Sequence, residues 1–235
     1  VTASSGAHHA LRTLLAIPVY NEALHLPAVL DGVLRVIDAK DLLILDDGSS
    51  DDTRHILQGR KLRFIAHPTK QGKGTCLLRA IRYAQELEYD WLLCMDGDGQ
   101  HDPDDLPRFL QHIQKGDADV ILANRIRRAG HMPLLRRCSN QLSSMILSLL
   151  IHPGKRIKDS QCGFRALRLS ALRGQWFSTR GFQFESEVLL VLGRRGCRIE
   201  QIPIRTEYGG QASQVQPLRD TLAFVRLVLK SVWNR

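Results

Sequence analysis

The first half of the chain alternates between two kinds of apolar pattern. Leu14–Val19, Leu42–Leu45, Leu62–Ala66, Trp91–Met95 and Asp119–Ala123 are short apolar runs, which predict buried strands. Between them, Leu26–Ala39, Thr53–Gln58, Thr75–Glu88 and Asp104–Lys115 read as helices. In the first of these the apolar residues recur at helical spacing (Leu26, Val29, Leu30, Val33, Leu34, Ile37). Strand and helix in regular alternation predict an α/β domain with a mostly parallel, Rossmann-like central sheet flanked by helices. The second half is less regular: helix over Arg136–Ile151, strand over Gly163–Leu169, helix over Val188–Arg195, strand over Arg198–Ile204 and a closing helix over Leu218–Trp233. The basic run Arg125-Ile126-Arg127-Arg128 and the pair Arg136-Arg137 predict a mobile loop between halves rather than a domain boundary. Residues 1–11, which lack a Met, read as a disordered or trimmed terminus. Residues 12–217 then form one catalytic-sized domain, and 218–235 a C-terminal amphipathic basic helix.

Polar clusters sit directly after the apolar runs. Tyr20-Asn21-Glu22 follows the first strand, Asp46-Asp47-Gly48-Ser49-Ser50 the second, and Asp96-Gly97-Asp98-Gly99-Gln100-His101 the fourth. Ligands of open α/β sheets bind beyond the carboxyl ends of the strands, so the three clusters are expected in one cleft. Asp96 and Asp98 repel each other and are costly to bury unpaired. A hard divalent cation such as Mg²⁺ or Mn²⁺ relieves both problems and is commonly shared with substrate phosphates. A Gly- and Asp-rich turn is the plain alternative for the same residues.

Other signatures fail. An EF-hand counted from Asp96 would need Gly and Glu where His101 and Pro107 stand. Gln71-Gly72-Lys73-Gly74-Thr75 lacks the earlier Gly of a phosphate loop and has Gly after the Lys. No G-x-G-x-x-G follows the first strand. A phosphohydrolase would carry its acidic pair after the first core strand, not the fourth.

The net charge of +9 fits phosphorylated small molecules, an anionic membrane or nucleic acid. No basic motif is interleaved with aromatics, so nucleic acid is not expected. The five cysteines are odd in number and show no C-x-x-C, which favours a reducing compartment over a disulfide framework or a zinc site. No apolar run approaches the roughly 18 residues of a membrane span.

Ile17-Pro18-Val19-Tyr20-Asn21-Glu22, Asp46–Thr53, Gly72-Lys73-Gly74, Asp96–His101 and Asp159-Ser160-Gln161-Cys162-Gly163-Phe164-Arg165 resemble, in order and spacing, the family 2 glycosyltransferases. The last segment is similar to the dolichyl- or polyprenyl-phosphate sugar transferase branch. The resemblance implies a GT-A fold and a UDP- or GDP-sugar donor. Pro18, Tyr20 and Glu22 would line the nucleoside pocket, and Asp47, with Asp46 as the alternative, would meet base or ribose. Asp96 would sit near ribose or metal, Asp98 would be the main metal ligand and Gln100 a third. Lys73 and Arg125 would face phosphates.

The acceptor decides whether a base is needed. A hydroxyl acceptor requires one, and Asp159, Glu185 and Glu187 are the candidates. A phosphate monoester, with a second pKa of about 6, attacks without one; Asp159 would then orient acceptor or sugar. Glu185 and Glu187 also read as favourable charges at a helix start.

In the closing helix, Arg219, Arg226 and Lys230 group together, with Leu218, Leu222, Val225, Leu229 and Val232 expected on the opposite side. An interfacial helix on an anionic leaflet, anchored by Trp233, is one reading and a packed closing helix the other. The stretch Tyr208–Gln214 is similar to one that in relatives has Ser followed by a basic residue; here Gln214 follows Ser213. The combined expectation is a metal-dependent, inverting hexosyltransferase acting on a polyprenyl phosphate, peripheral to the inner face of the cell membrane. Transfer to a saccharide or other hydroxyl, a phosphohydrolase, and a non-catalytic nucleotide-sugar or membrane-binding module are the alternatives.

Overall fold

The computed structural model describes residues 11–125, 134–151, 156–204 and 217–233. Seven strands form one sheet: β1 (Thr13–Val19), β2 (Leu42–Asp46), β3 (Phe64–Ala66), β4 (Trp91–Cys94), β5 (Val120–Asn124), β6 (Arg165–Arg168) and β7 (Ile199–Pro203). Their spatial order is β3-β2-β1-β4-β6-β5-β7. β1 pairs in parallel with β2 and β4, β2 with β3, and β5 with β7. β6 alone is antiparallel, to both β4 and β5. The expected α/β architecture is therefore present, with a single reversed strand.

Alternation along the strands divides the core into two layers. Leu14, Ala16, Leu43 and Leu45 face α3 (Lys73–Glu86) and α7 (Gln183–Arg194), where Cys76, Leu77, Ala80, Phe184 and Val188 close the packing. Leu15, Ile17, Leu42 and Ile44 face the other way, onto α1 (Leu26–Val33), α2 (Thr53–Gly59) and α4 (Leu106–Lys115). The β-strand period of two makes this sorting automatic once both faces are covered. Helices α5 (Leu134–Ile151), α6 (Leu169–Leu172) and α8 (Pro217–Trp233) complete the chain.

Four details differ from the sequence reading. α1 ends at Val33, not Ala39; Leu34–Val36 continue as turns. The four-residue α6 was not expected. α7 starts at Gln183 rather than Val188, so Glu185 and Glu187 lie inside it. α8 packs on the domain through Phe224, Leu227 and Ser231, and leaves Leu222, Val225, Leu229 and Trp233 exposed. Arg226 and Lys230 are exposed too, each one position (about 100°) beyond Val225 and Leu229. They border the apolar stripe rather than opposing it. The basic loop between β5 and α5 and the stretch Tyr208–Gln214 fall outside the described residues, apart from Arg125, Arg136 and Arg137.

Candidate active site

The parallel strands end at one edge of the sheet, where Val19, Asp46 and Ala66 lie in register. The loops leaving β1 and β2 are tied together there. Asn21 donates its amide to Ser49 Oγ and accepts from the Ser50 amide. The Glu22 amide donates to Thr53 Oγ1, and the Ala23 amide to Asp51 Oδ2. Lys70 Nζ stands 3.5 Å from the centroid of the Tyr20 ring, a cation–π contact that fixes one wall of the expected nucleoside pocket. Pro18, Tyr20 and Glu22 are all half-buried on this rim.

The two aspartates ending β2 are committed to the scaffold. Asp46, fully buried, accepts from the Ser49 amide and pairs with Arg54. Asp47 accepts from the Gln71 and Gly72 amides, both at 2.8 Å, and meets His67 Nδ1 at 3.2 Å. Gly72 has φ of +99° and its position abuts the Arg180 carbonyl, so a side chain would be both strained and obstructed. Asp47 thus shapes the turn that starts α3. Asp47, His67 and Cys76 are donors of the kind that bind metals. Burial and the charge of Asp47 push the Cys76 thiol well above its usual range, and hydrogen bonding accounts for the cluster.

The turn delivers Lys73 to the end of β4. Its ammonium lies 2.5 Å from Asp96 Oδ1 and 3.2 Å from Glu185 Oε1. His101, almost wholly buried, places Nε2 3.6 Å from Asp96 Oδ2. Burial alone would raise the Asp96 carboxyl; Lys73 and His101 outweigh it and hold Asp96 far below the usual range. Burial likewise opposes the Lys73 charge, and the two carboxylates more than restore it. Glu185 is itself 3.5 Å from Arg165 Nη2, and Arg165 is anchored on the carbonyls of Ser160, Cys162 and Glu185. Asp98 is half-buried, with Oδ1 accepting from the Gln100 amide at 3.0 Å, and Gln100 is buried. The side chains of Asp96, Asp98 and Gln100 carry oxygen donors of the kind that suit a hard divalent cation.

A second buried pair forms where the residues before β6 meet the end of β5. Arg125 clasps Asp159 with Nε at 2.8 Å and Nη2 at 3.0 Å, and its amide donates to the same carboxylate. Asn140 of α5 adds a bond at 2.8 Å, and Ser144 links Asn140 to Ser160. Burial opposes ionisation of Asp159, but Arg125 and Asn140 prevail and hold it below its usual range. Asp159 is therefore a poor base, and Arg125 reaches its site through that carboxylate.

Glu187, the third candidate base, lies within α7. Its carboxylate accepts from the amides and hydroxyls of both Ser178 and Thr179, four bonds between 2.5 and 2.9 Å. With its lone pairs occupied it clasps the loop before α7.

The model of glycosyl transferase family 2 matches residues 15–176, which run from β1 to the loop after α6 and include the ends of β1 to β6. The chain belongs to glycosyl transferase family 2. An undecaprenyl-phosphate mannosyltransferase of Micrococcus luteus is 30% identical to this family 2 glycosyltransferase, over 83% of each chain. A UDP-N-acetylglucosamine–dolichyl-phosphate N-acetylglucosaminyltransferase of Methanococcus voltae is also 30% identical, over 83% of this chain and 85% of its own. The resemblance to the polyprenyl-phosphate sugar transferase branch thus stands. Glucosyl-3-phosphoglycerate synthase from Mycobacterium tuberculosis, solved with Mn²⁺, UDP and glucosyl-3-phosphoglycerate, superposes with a TM-score of 0.67 at 21% identity, covering 95% of this chain and 79% of its own. The fold is GT-A.

Four residues of this glycosyltransferase site carry roles that the sequence did not assign: His67, His101, Asn140 and Arg165. His101 and Arg165 stood in recognised motifs without a role. Asn140 and Ser144 lie within the helix expected over Arg136–Ile151, and nothing local signalled their partner.

Proposed function

We propose that the protein transfers a hexose from a nucleoside-diphosphate sugar to a polyprenyl phosphate at a membrane surface, with inversion at the sugar carbon. One observation carries this reading: two of the three candidate bases are saturated by hydrogen bonds, and the third sits between two cations. Asp159 is saturated by Arg125 and Asn140, Glu187 by Ser178 and Thr179, and Glu185 lies between Lys73 and Arg165. A hydroxyl acceptor would need a base, whereas an ionised phosphate needs none. The acceptor phosphate oxygen would form the new bond to the anomeric carbon as the bond to the donor β-phosphate breaks. The nucleoside diphosphate leaves with the electron pair.

The named activities of these relatives support a polyprenyl or dolichyl phosphate acceptor. The Mn²⁺ and UDP bound by the neighbouring fold support a divalent cofactor, Mg²⁺ or Mn²⁺, and a nucleotide sugar. Asp98, with Asp96 and Gln100, would hold that cation, which supplies Lewis-acid stabilisation of the leaving diphosphate. Tyr20, Pro18 and Glu22 would bound the nucleoside, while Asp46 and Asp47 would set the loops around it. Arg125 and Asp159 would fix the far wall of the cleft, within the catalytic domain 12–217.

No described helix is long and apolar enough to cross a membrane. Contact with an anionic leaflet is supported by α8, where Trp233 is 90% and Leu229 63% exposed beside Arg226 and Lys230. Leu142, Met145 and Leu149 form a second exposed stripe on α5. A peripheral site on the cytoplasmic face accords with this arrangement. The test is incubation with UDP- and GDP-sugars, Mn²⁺ and undecaprenyl phosphate in detergent. A glycosylated lipid phosphate is expected; transfer only to a saccharide or other hydroxyl, or no product with any donor, would overturn the acceptor.

A further inference from the structure

Lys73 stands where a metal-ligating carboxylate should be free. Its ammonium is 2.5 Å from Asp96 Oδ1 and largely buried, so it competes with any divalent cation for that oxygen. Leaving a buried ammonium with no partner is costly. A second anion nevertheless lies within reach, since Glu185 Oε1 is 3.2 Å from the same nitrogen.

We infer that Glu185 is a positioning residue for Lys73: it is the alternative anionic seat that lets the ammonium release Asp96 to the cation. The inference rests on the donor and metal reading above. Three observations carry it. Arg165 is held by three backbone carbonyls, so it fixes Glu185 rather than following Lys73. The cavity beside Glu185 and Arg165 is otherwise lined by Leu77, Ile81, Leu92, Cys94, Leu167 and neighbouring apolar groups, which offer no competing cation. Lys73 is the flexible member of the set, a point charge on a four-carbon stem. Asp96 and Glu185 balance Lys73 and Arg165 before any metal arrives. After it arrives, Lys73 stays paired through Glu185 while Asp96 turns to the cation.

The test reads metal binding rather than turnover. Free Mn²⁺ is followed by electron paramagnetic resonance as it is titrated into the full chain with UDP, and separately with GDP. Glu185→Gln is expected to raise the Mn²⁺ dissociation constant about tenfold, because Lys73 then has only Asp96 to hold. Glu185→Asp should give an intermediate value, and it carries the test if the Gln variant does not fold. Lys73→Met should bind Mn²⁺ at least as tightly as the wild type, and adding Glu185→Gln to it should change little. A wild-type constant in the foldable Glu185 variants, or an equal weakening with and without Lys73, overturns the inference. Wild-type protein that takes up no Mn²⁺ with either nucleotide overturns the donor reading and the inference together.

Discussion

Gly163 and the Asp96 carboxylate are in such close apposition that a Cβ at position 163 would stand 2.2 Å from Asp96 Oδ2. The atom it would strike is not the loose end of a surface side chain. Asp96 is held on its other sides by Lys73 and His101. The turn before β6 therefore positions a carboxylate at the end of β4.

Gly163→Ala is expected to displace Asp96 and lower donor-dependent turnover on the order of a hundredfold. The stability cost should be only about 1–3 kcal/mol, as for other overpacked sites. Kinetics beside urea denaturation separate the two effects. Turnover within twofold of the wild type would mean that Asp96 does not need this position.

Arg125→Ala leaves the buried Asp159 carboxylate without its cation. A loss of about 3–5 kcal/mol in unfolding free energy is expected. Asn140→Ala, which removes a single hydrogen bond, should cost about 1–3 kcal/mol. Arg125→Lys should fall between, because a point charge cannot reproduce the two-pronged contact. Equal stabilities for the Ala and Lys variants of Arg125 would refute the assignment of that contact.

Glu187 predicts part of the acid limb of stability. Burial opposes its charge, but the Thr179 and Ser178 hydrogen bonds prevail and lower its pKa in the folded state. The unfolded chain therefore binds a proton more readily, and stability rises with pH across that interval. The contribution is full above about pH 4.3 and is lost as pH falls through the folded value. In Glu187→Gln the stability below about pH 4.3 should fall less steeply than in the wild type. Superimposable acid limbs would contradict the clasp.

Asp98→Asn should abolish the stabilisation of the folded chain by UDP or GDP that depends on Mn²⁺, read as a thermal shift. A ligand bound only to the native state raises apparent stability with its concentration. The variant should retain the unliganded melting temperature, since Asp98 is only half-buried and accepts a local bond from the Gln100 amide. An unchanged metal-dependent shift would remove Asp98 from the ligand set.

On α8, Leu229→Glu should reduce sedimentation with vesicles containing anionic phosphatidylglycerol and leave thermal stability near wild type, because that side chain is exposed. Leu227→Glu, on the packed face, should instead destabilise the fold. Equal vesicle binding by wild type and Leu229→Glu would exclude this stripe from the membrane contact.

The sheet and the strand-end cleft were legible in the sequence because buried parallel strands are written as apolar runs, and polar residues placed just after them have one edge to occupy. The direction of β6 was not legible: Gly163–Leu169 looks the same run in either sense. Glu185 and Glu187 read either as candidate bases or as helix-start charges because their partners, Lys73 and Arg165 for one and Ser178 and Thr179 for the other, are settled by packing. The same holds for α8. Its residues can be placed on a wheel from sequence, yet which face meets α7 depends on Phe224 and Leu227 finding a surface there.

The reversed strand also constrains how the molecule comes into being. β5 has no direct pairing with β4; β6, made some forty residues later, stands between them. A nascent chain ending near residue 125 can assemble β3-β2-β1-β4 but leaves one edge of β4 open and β5 without its neighbour. Closing that edge is the step that sets Gly163 on Asp96 and Asp159 on Arg125. The cleft is thus completed only once β6 has been made, and a fragment carrying the first three strand-end motifs would hold their residues without their geometry.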